Sequence, residues 1–181
     1  MSEINQLPKL FMRRKNLNNL PQIKIPTGFN LRHYRTGDDE CWEKIIEAAL
    51  GKKNFTETIK SHTFFTAQRV LFICDNEKPI ATATAWLNAD NPKSIGQVHM
   101  VGVYPEFRGK GLGFQIILAT LHQMKREGKR GAALLTDDSR LSAISIYLKL
   151  GFEPECNHES NPQRWQNIYE NIRGHVAHKT F

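Results

Sequence analysis

Two cations and three closely spaced glycines precede a helical pattern in the middle of the chain. They form the run Arg108-Gly109-Lys110-Gly111-Leu112-Gly113, and Phe114 opens a set of apolar residues at helical spacing. The first N–H groups of a helix lack intrahelical partners and carry partial positive charge, and glycine lets a ligand approach the backbone closely. A plain strand-to-helix turn would need only one glycine. The run therefore predicts a pyrophosphate-binding loop over residues 108–114.

The spacing of the glycines narrows the choice of ligand. Gly109, Gly111 and Gly113 read G-x-G-x-G, whereas the dinucleotide fingerprint requires G-x-G-x-x-G. The nucleotide-binding pattern G-x-x-x-x-G-K-[ST] occurs nowhere in the sequence. The loop thus fits neither of the two common nucleotide-binding motifs.

The loop instead resembles the acyl-CoA loop of the Gcn5-related N-acetyltransferase (GNAT) superfamily, whose signature is [RQ]-x-x-G-x-[GA]. Arg108–Gly113 match this signature, and Val103-Tyr104-Pro105 supplies the usual preceding Val-x-Pro. A second stretch, Ala143–Phe152, looks like the superfamily's A-x-x-x-Y-x-x-x-G-F motif. Many members place asparagine seven residues before this tyrosine, where it contacts pantetheine. Here that position is Arg140, so the contact is not carried over.

The resemblance implies acetyl-CoA as the cosubstrate, bound by the loop and by the strand before it. In similar enzymes this strand binds pantetheine and the acetyl oxygen through its backbone. A backbone N–H there can stabilise negative charge on the thioester oxygen. The predicted cofactor-binding residues are Met100, Val101, Gly102, Val103, Arg108, Gly109, Lys110, Gly111, Leu112, Gly113 and Phe114.

An amine acceptor must lose a proton before it attacks, because an amine with a pKa of about 10.4 is mostly protonated at pH 7. Histidine, with an ordinary pKa of about 6.5, is mostly a free base there. His99 lies on the strand before the loop, and strand alternation predicts that it shares a face with Val101 and Val103. Superfamily members use Glu or His near this position as base, often through water. His99 is therefore the predicted base, and a structural strand histidine is the alternative interpretation.

The departing thiolate needs a proton, and Tyr147 matches the superfamily's usual acid position. A phenol of pKa about 10 can protonate a thiolate of pKa about 8.5 only when the transfer is coupled to the reaction or the pKa is perturbed. The alternative interpretation is a packed helix tyrosine that only hydrogen-bonds the sulfur.

The order of apolar patterns predicts an α/β fold. Strands are expected at Phe29–Tyr34, Val70–Cys74, Ile80–Leu87, Val98–Val103 and Ala132–Thr136, and helices follow Asp39, Gly113 and Ser139. The resemblance implies a mixed, mostly antiparallel sheet with splayed central strands and flanking helices. Residues 1–27 are polar and carry three prolines. They are interpreted as an N-terminal extension, 28–175 as the acyltransferase domain and 176–181 as a tail.

Composition indicates a soluble globular protein of about one domain, with 181 residues, 40% hydrophobic and 24% charged. No apolar run reaches the roughly 18 residues of a membrane span, and no signal peptide is evident, so a cytoplasmic location is expected. Cys41, Cys74 and Cys156 are too widely spaced for a zinc motif or a disulfide scaffold, and no metal is predicted. The net charge is +7, but the cations are scattered, which makes a nucleic-acid partner improbable.

The predicted function is acetyl transfer from acetyl-CoA to a primary amine by direct attack in a ternary complex, with a small-molecule acceptor. A non-catalytic CoA-binding sensor, and an enzyme acting on a protein or aminoacyl-tRNA amine, remain as alternatives. Four acidic residues at turns are candidates for binding a cationic acceptor, although helix caps are commoner there: Asp38, Asp39, Asp137 and Asp138. Helical spacing predicts a C-terminal amphipathic helix over Gln163–Arg173, marked by Trp165, Ile168, Tyr169 and Ile172. Trp165 is expected in the core, and exposed apolar residues on this helix would permit a homodimer.

Overall fold

The computed structural model describes residues 7–88 and 92–177, with side chains up to residue 173 in the last helix. The first six residues of the predicted extension and residues 178–181 of the predicted tail lie outside this range. The strands are β1 (Leu10–Arg14), β2 (Phe29–His33), β3 (Val70–Asp75), β4 (Lys78–Trp86), β5 (Ile95–Val103), β6 (Gly131–Thr136) and β7 (Glu153–Glu155). The helices are α1 (Asp39–Leu50), α2 (Leu112–Arg126), α3 (Leu141–Lys149) and α4 (Asn161–Ala177).

The chain divides into two compact units, which separate between Arg14 and Lys15 and between Ala132 and Ala133. In the larger unit, β2, β3, β4 and β5 are consecutive antiparallel neighbours. Strands β3 and β4 are buried along nearly their whole length because helices cover both faces of this part of the sheet. The predicted strands of this unit are confirmed, with shifts of one to three residues at their ends.

Helices α1 and α2 pack on opposite faces of β5, at two glycines. A Cβ built on Gly102 would lie 3.0 Å from Ile45 Cγ2 of α1, whereas one built on Gly96 would lie 2.7 Å from Met124 Sδ of α2. Side chains as small as hydrogen at these positions allow the helices to approach the strand closely. The strand that leads into the glycine loop is thus held between two helices.

The start of α1 is held by an ion pair. Asp38 accepts hydrogen bonds from Arg32 at 2.6 and 2.9 Å and from the Arg35 N–H at 2.6 Å. Burial raises the pKa of the Asp38 carboxyl, but these hydrogen bonds more than offset it, so that the net pKa is lowered. Asp38 is therefore the N-cap residue by position, yet its carboxylate binds Arg32 and Arg35 and does not cap the helix.

The smaller unit contains β1, α3, β7, α4 and most of β6, with β1 placed between β6 and β7. Phe11 stands opposite Glu155 in an antiparallel ladder, and Leu10 and Met12 are fully buried. The sequence analysis assigned no element to residues 10–14. On α4, Trp165 is buried as predicted, and Arg164 binds Asp138 at 2.5 and 2.9 Å.

Among the described residues, no helix is long and apolar enough to cross a membrane. The mixed α/β fold with mostly antiparallel strands and flanking helices confirms the predicted fold class. The predicted splay concerns β5 and β6, and it stays a prediction.

Candidate active site

The glycine loop, Arg108–Gly113, joins β5 to α2 and leaves the start of α2 open to a ligand. A short 3-10 turn, Pro105–Phe107, ends the strand. Gly109 and Gly111 then adopt positive φ, at 79° and 78°, a conformation that side chains oppose. Gly111 is the N-cap and has no side chain that could cap the helix, so the N–H groups of its first turn are left to bind an anion.

Arg108 ties this loop to the elements around it. Its guanidinium donates to the Val103 carbonyl at 3.3 Å and to the Ala48 carbonyl, in the last turn of α1, at 3.4 Å. A cation at the C-terminal end of a helix is favoured by the helix dipole. Both contacts are long and the side chain is exposed, so Arg108 has hydrogen-bonding capacity left for an anionic ligand.

Lys110 lies beside two aromatic rings. Its Nζ is 4.9 Å from the centre of the Phe107 ring and 5.8 Å from that of Phe29. The two rings meet edge to face at 6.1 Å. These cation–π contacts restrict the lysine side chain next to the start of α2, where its charge adds to that of Arg108.

A β-bulge interrupts β5 just before the loop. His99 stands opposite Thr84 and Gly102 opposite Thr82, so Met100 and Val101 together face one residue of β4. Met100 accommodates the bulge with φ of +48°.

The bulge changes the face on which His99 lies. Val103 stands opposite Ala81, and Ala81 lies on the other face of β4 from Thr84. The prediction that His99 shares a face with Val103 is therefore wrong. His99 faces the α1 side, with Gly102.

His99 belongs to a row of three rings on that face. Its imidazole lies 5.6 Å from the Trp86 ring, which in turn lies 5.2 Å from His62. His62 is exposed, whereas His99 and Trp86 are half-buried, so the row leads from solvent towards the strand. His62 and Trp86 were not predicted as site residues from the sequence.

The Thr84 hydroxyl adds a polar group beside His99. Thr84 is fully buried, and its Oγ1 has no hydrogen-bond partner among the described residues. Residues directly opposite in a ladder have Cβ atoms about 5 Å apart on the same face. Thr82, two residues along the same strand, is equally buried but donates to the Leu71 carbonyl at 2.9 Å. The sequence carries no signal that distinguishes the two threonines.

Tyr147 lies in the smaller unit, on α3. Its side chain is buried, its ring meets Phe152 edge to face at 6.0 Å, and its carbonyl accepts the Phe152 N–H. Burial raises the pKa of the Tyr147 phenol, which keeps it protonated at neutral pH. The contact between Tyr147 and Phe152 explains why the second motif pairs Tyr with Gly-Phe at this spacing.

The four acidic candidates for acceptor binding all have cationic partners. Asp39 binds Lys60 at 2.9 Å and Asp137 lies 3.9 Å from Lys9. The other two form the pairs with Arg32 and Arg164 described above. Asp38, Asp39 and Asp138 are therefore engaged in close ion pairs, whereas the pair of Asp137 with Lys9 is long and exposed on both sides. No group of three His, Cys, Asp or Glu side chains in the described ranges is placed to hold a metal.

Several known proteins are similar to this chain. The family profile described as "Acetyltransferase (GNAT) family" matches residues 34–152. The chain is similar to a mycothiol acetyltransferase of Kytococcus sedentarius, with 28% identity over 144 residues, which is 74% of this chain and 48% of that protein. It is also similar to a mycothiol acetyltransferase of Thermobispora bispora, with 32% identity over 78% of this chain and 52% of that protein. The chain thus spans about half the length of these curated relatives.

The fold is found in a solved structure as well. The GCN5-related N-acetyltransferase from Sphaerobacter thermophilus superposes with a TM-score of 0.64 at 19% identity, over 82% of this chain and 50% of that one. The profile match covers both the glycine loop and the Tyr147 motif. The chain belongs to the acetyltransferase (GNAT) family.

Proposed function

We propose that this protein transfers the acetyl group of acetyl-CoA to the primary amine of a small molecule. The observation that carries the proposal is the glycine loop, where an uncapped helix start and two cations meet. The loop fits the pyrophosphate of CoA because its N–H groups, Arg108 and Lys110 supply donors and positive charge without a carboxylate in the first turn of α2. Residues Met100–Gly113 would hold the cosubstrate along β5 and the loop.

His99 acts in this proposal as the base that takes a proton from the ammonium form of the acceptor. Its position in the row with Trp86 and His62 supports this role, because the row leads inward from solvent. A water held by the Thr84 hydroxyl relays the proton. A buried hydroxyl without a protein partner is costly unless water satisfies it, and Thr84 lies directly opposite His99.

The amine nitrogen then forms a bond to the acetyl carbon while the carbon–sulfur bond breaks. Backbone N–H groups of the bulged stretch Met100–Val103 stabilise the negative charge that develops on the thioester oxygen. The bulge supports this role because it turns backbone groups out of the regular ladder. Tyr147 supplies the proton to the departing thiolate. Because burial raises the pKa of the phenol, this transfer must be coupled to cleavage of the carbon–sulfur bond.

The relatives' printed name, mycothiol acetyltransferase, favours a small-molecule acceptor over a protein or an aminoacyl-tRNA. Trp86, which is half-buried beside His99, would contact the acceptor, since a large ring suits a carbohydrate or other flat, partly apolar group. We expect the protein to act in a reducing cytoplasm, as a monomer or a homodimer, and without a nucleic-acid partner.

The first test is calorimetric titration with acetyl-CoA, followed by thiol-release assays with a panel of amines. Arg108→Ala should weaken acetyl-CoA binding about tenfold, because it removes a charge-assisted contact. Arg35→Ala, which removes an arginine from an exposed pair with Glu77, is the matched control and should bind normally.

Saturable binding with no thiol release from any amine would favour the CoA-binding sensor. Absence of binding, or equal weakening by Arg108→Ala and Arg35→Ala, would overturn the proposed site. Release with peptide or aminoacyl-tRNA amines alone would overturn the small-molecule acceptor.

A further inference from the structure

A second anion site is indicated at the other end of α2, about 20 Å from the glycine loop by helix length. Here a cleft of about 450 Å³ opens between three segments of the larger unit. We propose that this cleft, defined by Lys15, Ser94, Lys125, Lys129 and Arg130, binds a small ligand that carries a pyrophosphate group. Its remaining lining residues are Asn16, Leu17, Asn18 and Ile95.

The charge of the cleft points to an anion. Four of its nine lining residues are cationic and none is acidic. The nearest acidic residue in sequence, Glu127, is bound by Arg69 at 2.9 and 3.1 Å and by Gln123 at 2.9 Å. Several cations facing one concave, partly shielded space raise the local concentration of an anion more than the same charges spread over a surface.

The walls of the cleft are held in place by backbone hydrogen bonds. The Leu17 N–H donates to the Arg130 carbonyl at 2.8 Å, and the Arg130 N–H donates to the Ser94 carbonyl at 2.8 Å. Lys129 Nζ donates to the Lys93 carbonyl at 2.7 Å, which positions that lysine. The segments that contribute the cations are thus held around one space, and such pre-organisation favours binding.

The end of a helix normally disfavours an anion, because its last carbonyls carry partial negative charge. In α2 these carbonyls are already occupied: those of Gln123, Met124 and Lys125 accept N–H groups of the turn that follows. The lysines and the arginine therefore make the electrostatic potential in the cleft positive. A pyrophosphate group matches it better than a single carboxylate, because it offers several oxygens to cations on different walls.

The compact shape of the cleft favours a small ligand over a nucleic acid, whose backbone would need a continuous basic stripe. The volume lies in the range of small-molecule pockets. The phosphate group belongs either to an inorganic anion or to a nucleotide. Binding of inorganic pyrophosphate and of ADP, measured separately, distinguishes the two sources.

The test uses the full chain with one equivalent of acetyl-CoA, which fills the glycine loop without an excess that would compete for the cleft. Calorimetric titration with inorganic pyrophosphate should show one saturable site per chain, weakened about tenfold by Arg130→Ala and again by Lys125→Ala. Lys53→Ala, which removes an exposed cation outside the cleft, should leave it unchanged. Tighter binding of ADP would identify a nucleotide as the source.

Three results would overturn the inference: no saturable binding of either probe, equal weakening by Lys53→Ala, or loss of binding in Arg108→Ala. The last would place the anion in the glycine loop. Binding of a single-stranded RNA oligomer without binding of pyrophosphate or ADP would also reject the small ligand. Because acetyl-CoA binding is measured in the same samples, failure of this site and failure of the proposed function are separable.

Discussion

Replacing Thr84 by valine tests whether its hydroxyl serves catalysis. The substitution keeps the branched shape and exchanges one buried hydroxyl for a methyl group. If a water bridges Thr84 and His99, that water loses one of its roughly three hydrogen bonds. One net hydrogen bond is worth about 1 to 1.5 kcal/mol. We therefore expect kcat to fall about tenfold.

Stability should respond in the opposite sense. The Thr84 hydroxyl has no partner among the described residues, so its removal leaves no protein group unsatisfied. The free energy of unfolding should stay constant or rise. Thr82→Val is the matched control, because Thr82 lies on the same strand and face but donates to the Leu71 carbonyl. It should lose about 1 kcal/mol, or 2–4 °C in Tm, while kcat changes little.

The assay measures thiol release at saturating acetyl-CoA across a range of pH, with thermal unfolding followed by circular dichroism. The pH dependence of kcat should survive in Thr84→Val, because valine removes only the hydroxyl that holds the water. It should disappear in His99→Ala, because alanine removes the base. An unchanged kcat in Thr84→Val would refute the water relay. A loss of stability equal to that of Thr82→Val would show that Thr84 is an ordinary structural residue.

Four further substitutions test other features. Gly102→Ala should lower stability by about 1 to 2 kcal/mol and raise the KM for acetyl-CoA, because the new methyl meets the side chain and the backbone of Ile45. Gly96→Ala should lower stability less, since the flexible Met124 side chain can move. Equal melting temperatures of the two variants would contradict this reasoning. Asp38→Asn should cost about 3 kcal/mol at pH 7 by leaving a buried guanidinium unpaired. Because the pKa of Asp38 is lowered, its contribution is present above the ordinary carboxyl pKa and is lost as pH falls through the folded-state value. Denaturant titrations should therefore show the difference from the unsubstituted protein narrowing in acid, and a constant difference would disprove the linkage. Tyr147→Phe should reduce kcat about a hundredfold without changing the affinity for acetyl-CoA, and a normal kcat would exclude the acid role.

The glycine loop could be predicted because a short run of residues dictates its conformation. Gly111 must adopt positive φ, and apolar spacing fixes where the helix follows. The strands from Val70 to Val103 could be predicted for a similar reason, since alternation and β-branched residues are local signals. The glycine loop and these strands could thus be predicted because their signals lie within a few consecutive residues.

The face of His99 could not be predicted in this way. A bulge at Met100 shifts the register by one residue, and nothing in Val-His-Met-Val-Gly distinguishes a bulged strand from a regular one. Ion pairs between residues distant in sequence could not be predicted either. Asp138 lies in a turn where a helix cap is common, but its carboxylate forms an ion pair with Arg164 of α4.

The position of β1 has a consequence for the order in which the protein is made. β1 lies between β6 and β7, and Phe11 of β1 pairs with Glu155 of β7. At about 5 to 20 residues per second, the ribosome completes β7 about 7 to 30 s after β1. Until β6 is made Leu10 and Met12, which end fully buried, have no ladder to join, and until β7 is made one edge of β1 stays unpaired. The smaller unit thus cannot complete its sheet before β7 has been made, and β1 is the segment that a nascent-chain chaperone would have to shield until then.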